Sequence, residues 1–272
     1  MPELPEVENV RQGLERLIVG QKIKAVNVLW SNIIKDPTVE DFKQNLIGET
    51  FLSINRRGKF LLFETTDYIV ISHLRMEGKY KLESEEHPPT KHTHVIFSLN
   101  NGKELRYLDV RKFGKMSLVE KSKAYEHPSL RSLGPEPNEE LTLSHVSAFL
   151  RNRKRSIKAC LLDQKMVAGI GNIYADEILF ASGIHPERQG HTLSSTEQKK
   201  LKEAIVTIMK KAVEAGGTTI RTYANAFGDS GSFQNQLMVY GKEGEPCPNC
   251  QTAFIKTKVA QRGTHYCPLC QK

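Results

Sequence analysis

Four of the chain's five cysteines, Cys247, Cys250, Cys267 and Cys270, crowd its last 26 residues. They form two Cys-x2-Cys pairs sixteen residues apart, and each pair can aim two thiolates at one tetrahedral ion at about 2.3 Å. Four free thiols would not need that spacing, so it predicts one Zn²⁺ held by all four. With every ligand position filled by protein, the ion is structural and not catalytic. His265 lies near enough in sequence to compete, but two matched pairs leave it no vacancy. The segment between the pairs should be a β-hairpin carrying Lys256, Lys258 and Arg262. Such a hairpin could present cations to a phosphate backbone or could simply be a solvated charged surface, and charge alone favours neither. Cys160 stands apart in a helical apolar stretch and reads as a small buried hydrophobe.

The remaining chain is long enough, at 272 residues and 39% hydrophobic content, for two domains or one large domain with an appendage. No 18-residue apolar run exists, and Met1-Pro2-Glu3-Leu4-Pro5-Glu6 puts acids where a signal peptide carries a basic and then an apolar stretch. A cytosolic chain with no membrane partner is expected. The formal charge of +8 favours a polyanionic partner without identifying one.

Val7, Val10, Leu14, Leu17 and Ile18 recur at helical spacing after Pro5, with Gly20 just beyond the last of them. A helix is therefore expected almost at the N-terminus. From about Lys22 to Glu120, β-rich runs such as residues 60–63 and 68–71 alternate with turn signals, including Asn100-Asn101-Gly102. That pattern predicts a β-sandwich or barrel. Pro128, Gly134, Pro135 and Pro137 mark a linker, with a domain boundary near Leu133. Helices are expected over residues 141–150, 156–162, 173–181 and 196–215, the last opened by a Ser194/Glu197 capping box and stopped by Gly216-Gly217. Asn172 is expected to cap the third, behind a Gly169-Ile170-Gly171 loop that could cradle an anion but is by default a tight turn. Residues 224–236 are polar and Gly-rich and read as a mobile loop.

Six segments in order, spanning nearly the whole chain, resemble bacterial formamidopyrimidine-DNA glycosylases. They are Pro2-Glu3-Leu4-Pro5-Glu6-Val7-Glu8, Arg56-Arg57-Gly58-Lys59, His73-Leu74-Arg75-Met76-Glu77-Gly78, Asp109-Val110-Arg111-Lys112-Phe113-Gly114, Gly169 to Glu177, and Arg262-Gly263-Thr264-His265-Tyr266-Cys267-Pro268. Leu4 favours the oxidised-purine branch over the endonuclease VIII relatives, which typically open Pro-Glu-Gly-Pro. The resemblance implies an α+β multidomain chain. Residues 1–133 would be a catalytic β-sandwich with an N-terminal helix, residues 134–236 a helix-two-turn-helix domain, and residues 237–272 a β-hairpin zinc finger, with damaged double-stranded DNA between. It implies removal of 8-oxoguanine and ring-opened purines followed by β,δ-elimination, by a monomer in the bacterial cytoplasm.

By the same matching, the catalytic set is Pro2, Glu3, Lys59 and Arg262. Met76, Arg111 and Phe113 would fill the gap left by an everted base, and His73, Lys158, Asn172, Tyr240 and Lys256 would also touch DNA. Glu77 and Thr218, Thr219, Ile220, Arg221, Thr222 and Tyr223 would close over the lesion. The chain departs from the family pattern at Gln261, where a glycine usually stands, so a positive φ there would be strained. The nucleophile would be Pro2 once Met1 is removed, because an α-amine with a pKa of roughly 7.7 to 8.0 is partly neutral near pH 7. A zinc-ribbon DNA-binding module without activity is the competing reading. It accounts for the charge and the cysteines, but not for a Pro-Glu pair that leads straight into a helix.

Overall fold

The computed structural model describes residues 1–218 and 231–272. Two compact units take in Met1–Arg131 and, separately, Ser132–Thr218 with Ser232–Lys272. The zinc hairpin, expected as a third domain, thus shares a unit with the helices.

In the first unit, helix α1 (Leu4–Ile18) starts where the sequence signals it, with Pro5 in its first turn. Glu3 is its N-cap, and Glu6 Oε2 accepts from the Glu3 amide at 2.8 Å, one arm of a capping box. Strand β1 (Ile23–Val28), strand β2 (Ile34–Asp36) and helix α2 (Val39–Leu46) follow. Next come strands β3 (Ser53–Arg57), β4 (Phe60–Glu64), β5 (Tyr68–His73), β6 (Lys79–Ser84), β7 (Thr93–Leu99), β8 (Lys103–Leu108) and β9 (Lys115–Glu120). They build a four-stranded sheet, β1-β7-β8-β6, and a five-stranded sheet, β2-β9-β5-β4-β3. Alternate residues of both sheets enter one core: Phe63 of β4 meets Tyr80 of β6 with ring centroids 5.1 Å apart, and Tyr80 Oη donates to Ser72 Oγ of β5 at 2.7 Å. This is the expected sandwich. The unit closes with the short helix α3 (Pro128–Arg131), inside the stretch 122–138 expected as the linker.

In the second unit, helices α4 (Leu143–Leu150), α5 (Ile157–Leu161), α6 (Asn172–Ser182) and α7 (Ser195–Glu214) match the four predicted segments to within two residues at either end. Thr142, Ser156 and Ser194 cap α4, α5 and α7 through their hydroxyls. Gly171, not Asn172, caps α6, so Asn172 is its first helical residue and its side chain is turned to another use. The expected mobile loop is described only from Gly231 onwards, where Phe233–Gln236 form a 3₁₀ turn with Phe233 buried. Strands β10 (Ile255–Val259) and β11 (Arg262–Tyr266) make the anticipated hairpin.

The two residues joining β10 and β11, Ala260 and Gln261, have φ of 50° and 64°. A two-residue hairpin turn needs left-handed backbone at both positions, and neither residue adopts it readily. The strain expected at Gln261 is therefore present, next to Arg262. Replacing the pair by Asn-Gly (Ala260→Asn/Gln261→Gly) is expected to stabilise the hairpin by about 1 kcal/mol. A urea midpoint that does not rise would contradict this account of the turn.

Candidate active site and nucleic-acid interface

At the N-terminus, Pro2 and Glu3 are buried at the start of α1. The N-terminal end of a helix carries partial positive charge, which favours the neutral form of an amine placed there. Glu8, further along the same helix, receives Arg56 Nε at 2.9 Å and Arg11 Nε at 2.8 Å. Burial by itself would raise the Glu8 pKa, but these two guanidiniums outweigh it and hold the carboxyl below its ordinary value. Arg56 Nη1 also donates to the Gly58 carbonyl at 3.0 Å. The turn between β3 and β4, which carries the buried Lys59, is thereby tied to the helix that carries Pro2 and Glu3.

His73, at the end of β5, faces the same turn. Its ring meets Phe60 edge-on with centroids 4.6 Å apart, and its Nδ1 accepts the Arg75 amide at 3.0 Å. Burial, then the charges of Arg75, Lys59 and Lys115, push its pKa down to about 3. The imidazole is neutral at pH 7, and with Nδ1 accepting, its proton sits on Nε2 as a fixed donor.

Two loops carry the predicted gap-filling residues. The Asp109 carboxylate accepts the amides of Arg111 at 2.9 Å, Phe113 at 2.8 Å and Gly114 at 2.8 Å, which folds residues 109–114 into a tight projection. Phe113 is 50% exposed, with the Arg111 guanidinium 4.7 Å from its ring centroid. A large apolar side chain left in solvent on a rigid loop is suited to insertion and is not a core residue. Met76 and Glu77 are half-buried on the other loop. Both loops close on Tyr107: a Cβ at Gly78 or Gly114 would lie 2.0 or 1.8 Å from its hydroxyl. Only glycine permits either approach.

In the second unit, Lys158 and Asp176 are wholly buried and paired, Nζ to Oδ1 at 2.6 Å. Lys158 also donates to Thr264 Oγ1 at 2.8 Å and to the Gly263 carbonyl at 3.1 Å, while Asp176 Oδ2 accepts the His265 amide at 2.9 Å. A sealed lysine cannot grip DNA from this position, so its expected contact role is corrected to a bond between α5, α6 and β11. Asn172 Nδ2 donates to the same Gly263 carbonyl at 3.0 Å. Glu177, one residue after Asp176, accepts the amides of Met238, Val239 and Tyr240 at 2.9, 3.0 and 2.8 Å. Its burial raises its pKa against the pull of those three donors. Tyr240 in turn stacks edge-on against His265 at 5.1 Å. Arg262 and Lys256 remain exposed, Arg262 with no side-chain acceptor among the described residues and Lys256 3.5 Å from Glu243. Thr218 is buried, and Thr219, Ile220, Arg221, Thr222 and Tyr223 lie outside the described residues.

Sequence reading missed Asp109, Asp176 and Glu177. All three sit inside quoted motifs, but their roles come from amides and charges distant in sequence or folded back by the loop itself. Removing one partner of a buried pair leaves the other charge stranded, so Lys158→Met should cost about 3–5 kcal/mol. Equilibrium unfolding that places the loss under about 1 kcal/mol would refute a closed Lys158–Asp176 pair.

The four finger cysteines offer sulfurs that all lie within 4.8 Å of one another, with Cys247–Cys270 at 3.9 Å and Cys250–Cys267 at 3.5 Å. Tetrahedral zinc with bonds of about 2.3 Å requires sulfurs about 3.8 Å apart, so the donor set fits. His265 is not needed, since its Nδ1 lies 3.4 Å from Asp176. The ion secures a hairpin whose apolar support is a small cluster that includes Phe180, Val239 and Phe254. A chelator should therefore remove one Zn²⁺ per chain and abolish DNA binding while the sandwich stays folded; binding that survives complete zinc removal would contradict this.

Residues 1–116 match the model for the formamidopyrimidine-DNA glycosylase N-terminal domain, residues 133–224 its H2TH domain, and residues 244–272 the zinc finger found in FPG and IleRS. The formamidopyrimidine-DNA glycosylase of Enterococcus faecalis is 52% identical over all of this chain and 98% of its own length. That of Bacillus subtilis is 50% identical over all of this chain and 99% of its own. Among solved structures, Lactococcus lactis Fpg bound to abasic-site DNA covers 99% of both chains at 42% identity with a TM-score of 0.92. A mutant of the same protein bound to Fapy-dG DNA covers all of both chains at 43% identity with a TM-score of 0.94. Full-length identity at this level, on the fold just described and with its zinc ligands and Pro-Glu terminus in place, means that the chain belongs to the formamidopyrimidine-DNA glycosylase family.

Proposed function

We propose that this glycosylase, which removes oxidised purines and formamidopyrimidines from DNA, does so with the secondary amine of Pro2 as nucleophile, freed by removal of Met1. The observation that carries the reading is the placement of Pro2 and Glu3 at the positive end of α1. The neutral amine attacks C1′ of the damaged nucleotide, and the glycosidic bond breaks with the electron pair leaving on the base. Loss of the amine proton and opening of the C1′–O4′ bond give a cationic iminium. Glu3 is adjacent and supplies the proton that O4′ takes up. The iminium acidifies C2′, so loss of a C2′ proton expels the 3′ phosphate. A second elimination releases the 5′ phosphate, and water frees Pro2.

Lys59 and His73 supply a cation and a neutral donor and suit a phosphate near the lesion. Met76, Arg111 and Phe113 fill the space left by the everted base, Arg111 with planar donors for the orphaned partner. Arg262, Lys256, Tyr240 and Asn172 hold phosphates from the helical and finger parts, and Lys158 acts through Gly263. Glu77 and residues 218–223 close over the lesion. The functional parts are residues 1–133, 134–236 and 237–272, working as a cytoplasmic monomer. Among the described residues no helix is long and apolar enough to cross a membrane.

Borohydride should reduce the iminium and leave one covalent protein–DNA adduct, mapped by peptide sequencing to residue 2. A fully active enzyme that forms no adduct, or forms it on a lysine, would refute Pro2 as nucleophile. Blocking the terminus should abolish strand cleavage and leave DNA affinity nearly unchanged, whereas a non-enzymatic binding module would release no base in either form.

A further inference from the structure

In the five-stranded sheet, Phe60 pairs with His73 and His73 with Lys115, while Ile71 pairs with Ser117. Directly opposed residues share a face, so these five project together, away from the core that takes Leu61 and Met116. On that outer face they line a cavity of about 350 Å³ together with Lys35, Asp36, Arg75, His127, Pro128 and Ser129. A water in bulk occupies about 30 Å³. The cavity thus has room for a phosphodiester with its sugar.

Its charge is one-sided. Lys35, Arg75 and Lys115 stand around it with a single acid, Asp36. That acid is already engaged, accepting from Ser117 Oγ at 3.0 Å and lying 3.4 Å from His127 Nε2. Among the described residues, Lys35 Nζ reaches only the neutral Asn32 carbonyl, at 2.6 Å. Among the described residues no carboxylate pairs with Arg75 or Lys115. Cations grouped over an apolar floor of Phe60 and Ile71 are screened less than on an open surface and concentrate the field on whatever enters.

The backbone is set for this arrangement as well. Arg75 holds a φ of 57°, a left-handed conformation that costs a non-glycine residue of order 1–3 kcal/mol, and its amide is fixed on His73 Nδ1. Strain kept at a charged residue beside a cavity is what preorganised anion binding requires. Lys115 directly follows the 109–114 projection, so the cavity lining is continuous in sequence with that loop.

We infer that this cavity binds a backbone phosphate of the DNA strand flanking the lesion, through Lys35, Arg75 and Lys115. The inference rests on the damaged-DNA reading above and extends the footprint past His73. Among phosphate sources, continuity with the inserting loop favours the strand over a free anion.

The test uses the full-length zinc-loaded protein and a lesion duplex, with affinity measured from roughly 50 to 200 mM salt, where each phosphate contact adds about 0.9 to the slope of log K against log salt. Lys35→Ala/Lys115→Ala should lower that slope by about 0.9 and weaken binding by about tenfold or more at the low-salt end, with an unchanged urea midpoint. Lys35→Arg/Lys115→Arg should restore both. Trimming the duplex flanks should bring the wild type down to the slope of the alanine variant. An unchanged slope in the alanine variant, or a loss that persists on the trimmed duplex, overturns the inference. So does millimolar inorganic phosphate that binds the wild type but not the variant while the DNA slopes stay equal, which would assign the cavity to a free anion. Borohydride adduct formation by the wild type at saturating protein tests the Pro2 mechanism separately. Its absence in the wild type would overturn the Pro2 mechanism instead, so the two failures are distinct.

Discussion

The buried pair of Lys158 and Asp176 organises the second unit. Neither charge reaches water, so each must find every partner inside the protein, and the partners they find are on β11. Burying an ion pair contributes little net stability, since desolvation offsets most of the attraction. What it does is exclude alternatives: any shift of the hairpin along α6 strands a charge. Thr264, Gly263 and His265 are held in register, and Arg262 is thereby presented from a strand that cannot slide. The zinc fixes the base of the same hairpin, and the polar network fixes the strand that leads to its tip.

A comparable device operates in the first unit at lower cost. Glu8 reaches from α1 to Arg56, and Arg56 to the Gly58 carbonyl, so the helix that follows Pro2 and Glu3 is tied to the turn with Lys59. The loop that carries Arg111 and Phe113 is built by backbone amides gathered on one carboxylate, Asp109, and it and the loop of Met76 are closed on Tyr107 by two glycines. In each case a polar group with fixed geometry replaces the packing that an exposed loop lacks. The projecting Phe113 is then held without being buried.

The strain at Gln261 and Arg75 follows the same logic. Both residues occupy left-handed backbone that glycine would adopt freely, and each sets the direction of a cation, the half-buried Arg75 itself and the exposed Arg262 after Gln261. A side chain at such a position costs stability but narrows the range of backbone states, which helps orient the charge it carries or adjoins.

Local pattern was enough to read the sandwich, the four helices, the capping box of the last of them and the four-cysteine zinc site, because these depend on periodicity, short-range hydrogen bonds and fixed ligand spacing. Motif order was enough for the family and for Pro2, Glu3 and the wedge residues as candidates. Asn172 was placed one residue off its helical position, and Lys158 was read as a DNA contact, because a sequence does not display where a side chain's partner lies. Gly263 is 105 residues from Lys158, and only folding brings its carbonyl to the amine. Burial, the neutral tautomer of His73, the amides gathered by Asp109 and Glu177, and the cavity beside Lys115 were likewise decided by tertiary structure. Each is set by desolvation and by groups brought together from distant or oppositely facing segments, and neither is a property of a residue and its neighbours in the chain.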